Sequence, residues 1–162
     1  MYPNGDQNKG NVPPQFTPMQ TLPQNFSPWS TGLCGCCEDP TNCFTTCCCP
    51  CITFGRIAEV VDRGTTSCAV SSSLFCCLLW FTCCPYLYSC TYRSKLRGQF
   101  NLEESPCADC LVHWACGYCA LCQEYRELKN RGLDPSFGWQ ANADRMNRGV
   151  VTPPAIENGM SR

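Results

Sequence analysis

The residues best suited to chemistry are cysteines set around a single histidine. Cys107, Cys110, His113, Cys116, Cys119 and Cys122 fall at every third position, five thiols with the chain's one imidazole. Thiolate and imidazole are the preferred ligands of zinc, and the softer cadmium favours thiolate still more. A three-residue repeat drifts about 60° per step around an α-helix, so six groups cannot share one face. Adjacent pairs can, and a neighbouring segment would have to complete a tetrahedral set. A second series, Cys43, Cys47 and Cys51, recurs every four residues and continues through Gly55 to Glu59. Such a series shares a helix face, although Pro50 interrupts it. Metal contact and plain packing of small side chains both fit that stripe. A third set repeats at seven, Cys76, Cys83 and Cys90 alongside Cys77 and Cys84. It keeps one helix face with about 20° of drift per repeat, as an oligomer interface, a pore lining or simple helix packing requires. Lipidation competes for Cys34, Cys36, Cys37 and Cys90.

The elements that must position these groups are helical. The chain has 162 residues, room for one domain, and 19 cysteines, an odd number that leaves one thiol unpaired in a monomer. The net charge of −1 and a charged content of 15% draw no nucleic acid. Residues 1–28 are rich in Pro, Asn and Gln and read as a disordered region without a secretory signal. Residues 29–149 form a cysteine-rich membrane domain, and 150–162 a flexible tail. Mostly reduced thiols follow from the lack of a secretory signal. The expected fold is mainly α, a small helical membrane protein with one to two membrane segments. A helix or broken helix is expected over 43–62, a long one over 67–93 and a third over 108–130, with Gly64 and Gly132 as stops. Residues 64–92 carry no Asp, Glu, Lys or Arg, and 68–90 is long enough to cross a hydrocarbon core of roughly 30 Å, with Pro85 kinking or ending the helix. Tyr86, Tyr88 and Tyr92 read as an interfacial belt, and Arg93, Lys95 and Arg97 place the following loop in the cytosol. Glu127 and Arg131 are spaced for an i,i+4 pair. No phosphate loop or nucleophile elbow is present, and crowded thiols around His113 favour coordination or packing over a Cys-His dyad. A non-enzymatic protein is expected.

Several joined motifs carry a resemblance. They are Trp29-Ser30-Thr31-Gly32-Leu33-Cys34, Cys49-Pro50-Cys51-Ile52-Thr53-Phe54-Gly55, Cys107-Ala108-Asp109-Cys110-Leu111-Val112-His113, Cys119-Ala120-Leu121-Cys122-Gln123-Glu124-Tyr125-Arg126-Glu127-Leu128, and Gly138-Trp139-Gln140-Ala141-Asn142. Over about 29–149 the chain resembles the plant cadmium resistance and cell number regulator family, which includes the tomato fruit-weight regulator. The resemblance implies a multi-pass plasma-membrane protein that self-associates. It implies either efflux of cadmium or zinc by a homo-oligomer, or restraint of cell number and organ size through protein partners. The family hallmark is a Cys-Cys or Cys-Leu pair followed, after four residues, by Cys-Pro-Cys. Here Cys43-Phe44 takes the pair and Cys49-Pro50-Cys51 follows. The expected partners are divalent metal ions, the lipid bilayer and further copies of the chain. The candidate metal ligands, for zinc or cadmium, are Cys43, Cys49, Cys51, Cys107, Cys110, His113, Cys116 and Cys119.

Overall fold

A computed structural model of the protein describes residues 26–104 and 108–149. Six α-helices follow one another: α1 (Pro40–Cys48), α2 (Pro50–Val61), α3 (Cys68–Phe81), α4 (Pro85–Phe100), α5 (Asp109–Asn130) and α6 (Gly138–Gly149). Short 3-10 turns occupy Gly35–Glu38 and Pro135–Phe137. Among the described residues there is no strand, only an isolated bridge between Ser27 and Leu102. The mainly helical expectation holds. Of the region read as disordered, residues 1–25 lie outside the described residues, as does the tail at 150–162. Phe26 to Pro28 are described, and Ser27 belongs to the bridge.

Local chemistry sets several helix ends. Asp39 caps α1 by accepting the Asn42 amide at 3.1 Å, and Ser67 caps α3 by accepting from Val70. Pro50 and Pro85 sit in the first turns of α2 and α4, where a missing N–H costs nothing. Gly132 ends α5 with φ +82°, a conformation that favours glycine.

The 43–62 segment takes the broken one of its two expected forms: it folds as α1 and α2, bent by 114° at Cys49. The corner splits the Cys43, Cys47, Cys51 series between two directions. The expected single helix over 67–93 is instead α3 and α4, separated at Thr82 to Cys84, with Cys83 at φ 52°. Pro85 is the reason: it cannot donate to the carbonyl one turn back, and it starts a new helix. The seven-residue cysteine stripe is therefore divided as well. Cys76 and Cys77 lie on α3, Cys90 lies on α4, and Cys83 and Cys84 lie in the break.

The core forms where α2, α3, α4 and α5 meet. Phe54 is fully buried, with its ring centroid 4.8 Å from Phe75, 5.0 Å from Tyr88 and 5.2 Å from Tyr92. Tyr88 and Tyr92 thus pack inward rather than forming an outer belt. Ile57, Leu96, Leu121 and Leu128 belong to the same cluster. Gly55 lets α2 approach α3, since a Cβ there would stand 2.5 Å from the Cys68 carbonyl oxygen and against the Ser72 hydroxyl.

Among the described residues no single helix is long and apolar enough to cross a membrane. The bent pair α1–α2 reaches that length and composition together. Helix α3 is apolar but has 14 residues, about 21 Å at 1.5 Å per residue. It exposes Val70, Leu74, Leu79, Trp80 and Phe81, and Phe44 on α1 is 72% exposed.

The basic cluster also differs from expectation. Arg93 is fully buried, its guanidinium between Asp109 and Glu124. Lys95 pairs with Asp62 at 2.8 Å, and Arg97 pairs with Asp109 at 2.8 Å. Arg93 and Arg97, four apart on one helix face, share Asp109, whereas Lys95, two residues from each and about 200° around the helix, reaches Asp62 instead. The expected Glu127–Arg131 pair is present at 2.6 Å.

Asp62 offers a pH-dependent test. Burial would raise its carboxyl, but hydrogen bonds from Lys95, Tyr92 and Thr66 outweigh that and hold it below the ordinary Asp value. A lowered folded pKa stabilises fully above the unfolded value near 3.9 and loses that contribution as pH falls through the folded value. Asp62→Asn is expected to cost about 1–2 kcal/mol at neutral pH. Thermal melting from pH 7 to pH 2 should show the difference from the parent protein closing in acid.

Candidate thiol site and buried polar centre

Helix α1, the turn at Gly35–Glu38 and helix α5 bring thiols from distant parts of the chain together. Cys36 lies near both Cys43 and Cys119. Cys34 and Cys116 also lie near Cys119, and Cys122 lies near Cys43, Cys36 and Cys119. Burial, and then the neighbouring thiols Cys36 and Cys116, raise the pKa of Cys119. Burial likewise pushes Cys122 up to about 11, against a lowering hydrogen bond to Thr46. Both groups are therefore neutral thiols at physiological pH. Among the described residues, no group of three or more His, Cys, Asp or Glu side chains is arranged to hold a metal ion as it stands.

The other expected ligands are dispersed. Cys49 is exposed at the corner between α1 and α2, and Cys51 sits in the first turn of α2, half-buried and near Cys76. Cys107 lies outside the described residues. Cys110 is exposed in the first turn of α5 and its sulfur touches that of Cys90. Cys116 is exposed where α5 kinks, with non-helical φ −140° and ψ 48°. The kink reorients the first half of α5 relative to the second, so the every-third-residue array does not lie along one straight helix.

His113 is buried and both its ring nitrogens have partners. Nε2 is 2.7 Å from Glu124 Oε1, and Nδ1 is 2.9 Å from the Ser89 hydroxyl. Glu124 Oε1 also accepts from Arg93 Nη1 at 3.2 Å, while Arg93 Nη2 donates to Gln123 at 2.9 Å. Asp109 accepts from Ser94 at 2.6 Å and from Arg97, and lies 3.3 Å from Arg93 Nε. Trp29 covers the Arg93 guanidinium, 4.1 Å from the ring centroid. Sequence reading missed this centre and also missed Cys36 and Cys122 as neighbours of the candidate ligands. Cys122 carried a signal, the last place in the three-residue array. Arg93 and Glu124 carried none, since a buried and an exposed arginine look alike in sequence. Beside this centre is a cavity of about 590 Å³ between α3, α4 and α5. Phe75, Leu79, Tyr86 and Trp114 line it, with Ser89, His113, Cys83, Cys116 and Cys119 as its polar groups.

Residues 29–127, which include the thiol site and the buried polar centre, match the PLAC8 family. The chain belongs to the PLAC8 family. Two named groups of relatives fall close to this PLAC8 chain. It is 50% identical to cell number regulator 10 of Zea mays over 165 aligned positions, covering all of both chains. It is 48% identical to plant cadmium resistance 1 of Arabidopsis thaliana over 147 positions, covering 89% of this chain and 97% of the relative. Plant cadmium resistance 2 of the same plant gives the same identity and coverage. No solved structure matches this PLAC8 chain.

Proposed function

We propose that this PLAC8 chain is a plasma-membrane protein that confers tolerance to cadmium or zinc, binding the ion through thiolates and moving it outward as a homo-oligomer. The observation that carries the reading is the gathering of Cys36, Cys43, Cys119 and Cys122 from segments nearly ninety positions apart in sequence. The relatives named for cadmium resistance support it. The donor set suits a soft cation. The sulfurs do not form a cage, so an entering ion must draw them inward and displace their protons. The exposed apolar residues of α3, with Phe44 on α1, are the surface offered to lipid. A chain this small cannot enclose a pore, which is why export requires several copies. Binding and passing an ion needs no covalent chemistry, and the protein is read as a non-enzyme.

Replacing Cys36, Cys43 and Cys119 together by serine keeps approximate size and supplies a poor neutral ligand. Cadmium binding by the purified protein is expected to weaken at least about tenfold, and tolerance conferred on a cadmium-sensitive yeast strain is expected to disappear with membrane delivery intact. Because ligation releases thiol protons, the affinity of the parent protein should rise with pH, by up to about tenfold per pH unit for each proton released. Unchanged tolerance in the correctly delivered variant would remove this site. The same assay on Cys49→Ser with Cys51→Ser tests the Cys-Pro-Cys corner separately.

The name of the maize relative that aligns over the full length favours a second reading, a membrane-anchored negative regulator of cell number acting through protein partners. In that reading the thiols serve packing or lipidation. Retained growth control by the triple serine variant, with no metal flux from liposomes holding the parent protein, would support it over export.

A further inference from the structure

We propose that Cys90 and Cys110 are a dithiol site, oxidised to a disulfide that pins α4 to the start of α5. Their sulfurs stand 2.7 Å apart. Cys90 is buried at 5% exposure and Cys110 is open to solvent, so the pair has one reachable and one sheltered thiol. Neighbouring contacts fix the two helices at this level. Ser89, next to Cys90, bonds His113 at 2.9 Å, one turn beyond Cys110. Asp109, next to Cys110, accepts from Ser94 at 2.6 Å and from Arg97 at 2.9 Å, and lies 3.3 Å from Arg93. Held groups of this kind react as though at very high local concentration. Ser89 and His113 also line the cavity, so the bond would stiffen one of its walls.

The oxidant is a small disulfide of the glutathione type. The Cys110 thiol loses its proton and its sulfur attacks one sulfur of that disulfide, forming a mixed disulfide and releasing the first glutathione as thiolate. The Cys90 thiol then loses its proton and attacks Cys110 Sγ, releasing the second glutathione. The protein dithiol gives up two electrons and two protons, and two glutathione thiols are formed.

The full-length chain, purified in detergent and fully reduced, should be equilibrated in glutathione buffers of graded ratio, trapped with iodoacetamide and digested with trypsin, chymotrypsin and endoproteinase Asp-N. Residues 89–92 and 109–111 then lie on separate peptides with one cysteine each, and cleavage before Asp109 separates Cys110 from Cys107. The linked pair 89–92 with 109–111 is expected at a ratio about tenfold more reducing than any other cysteine pair needs. Cys90→Ser should leave Cys110 glutathionylated. Failure of the linked peptide to form, or Cys90 linked mainly to another cysteine, would overturn the proposal, and mapping the parent protein decides this even if the variant does not fold.

Discussion

Replacing Arg93 by alanine is expected to lower the thermal midpoint by about 10 °C or more, the larger of two severe effects. The side chains of Arg93, Asp109 and Glu124 are all at most 4% exposed. Desolvating such charges is costly, and only mutual pairing offsets it. Removing one partner of a buried ion pair typically costs about 3–5 kcal/mol, because the remaining charge is left in a medium that cannot solvate it. For a domain of this size each kcal/mol shifts the midpoint by about 2–4 °C. Glu124 would suffer most. Its Oε1 would retain only His113, and its Oε2 has no hydrogen-bond partner even in the intact protein. Asp109 would keep Arg97 and Ser94. Arg93→Met with Glu124→Gln removes the orphaned charge, fills most of the space and leaves His113 an oxygen acceptor. That double variant should recover much of the lost midpoint in differential scanning calorimetry. Equal loss in both variants would mean that the packing of Arg93 under Trp29, rather than its charge, is what matters.

Phe54→Ala is the second. The ring touches three aromatic side chains from α3 and α4, with no solvent exposure. Removal forfeits the transfer free energy of the ring and leaves a void, about 3–5 kcal/mol in cores that relax little. Relaxation is limited here because Gly55 holds α2 hard against the Cys68 backbone. Phe75 would lose its stacked neighbour on one side while lining the cavity on the other. The variant should therefore unfold at a much lower temperature, read as the midpoint of the helical circular-dichroism signal on heating. Phe54→Leu, which fills part of the space, should cost roughly half as much.

Both effects arise at places that sequence reading treated differently. Phe54 lies within the Cys49 to Gly55 motif that carried the family resemblance, and an apolar residue in an apolar helix is legible as core. Arg93 read as one of three surface cations beyond a membrane segment. The difference lies in α5: only when Asp109 and Glu124 arrive from that helix does a buried position for Arg93 become stable. The same helix carries Cys119 and Cys122 to Cys36 and Cys43. The expected ligand set therefore contained half of the thiol neighbourhood, and joined to it Cys110 and His113, which sit at the other half of the kinked helix with partners of their own.

The sequence by itself determined the helical class, the family, and several of the places where helices begin and end. Those depend on short-range chemistry: Asp39 and Ser67 accepting amides three residues ahead, Pro50 and Pro85 starting helices, Gly132 adopting a positive φ. Tertiary structure alone decided which thiols meet, that His113 bonds Glu124 and Ser89, and that the cation at position 93 is enclosed. Each of those outcomes depends on two helices docking with a particular rotation. A rotation of one residue, about 100°, would point Arg93 or Cys119 elsewhere without changing any local signal in the chain.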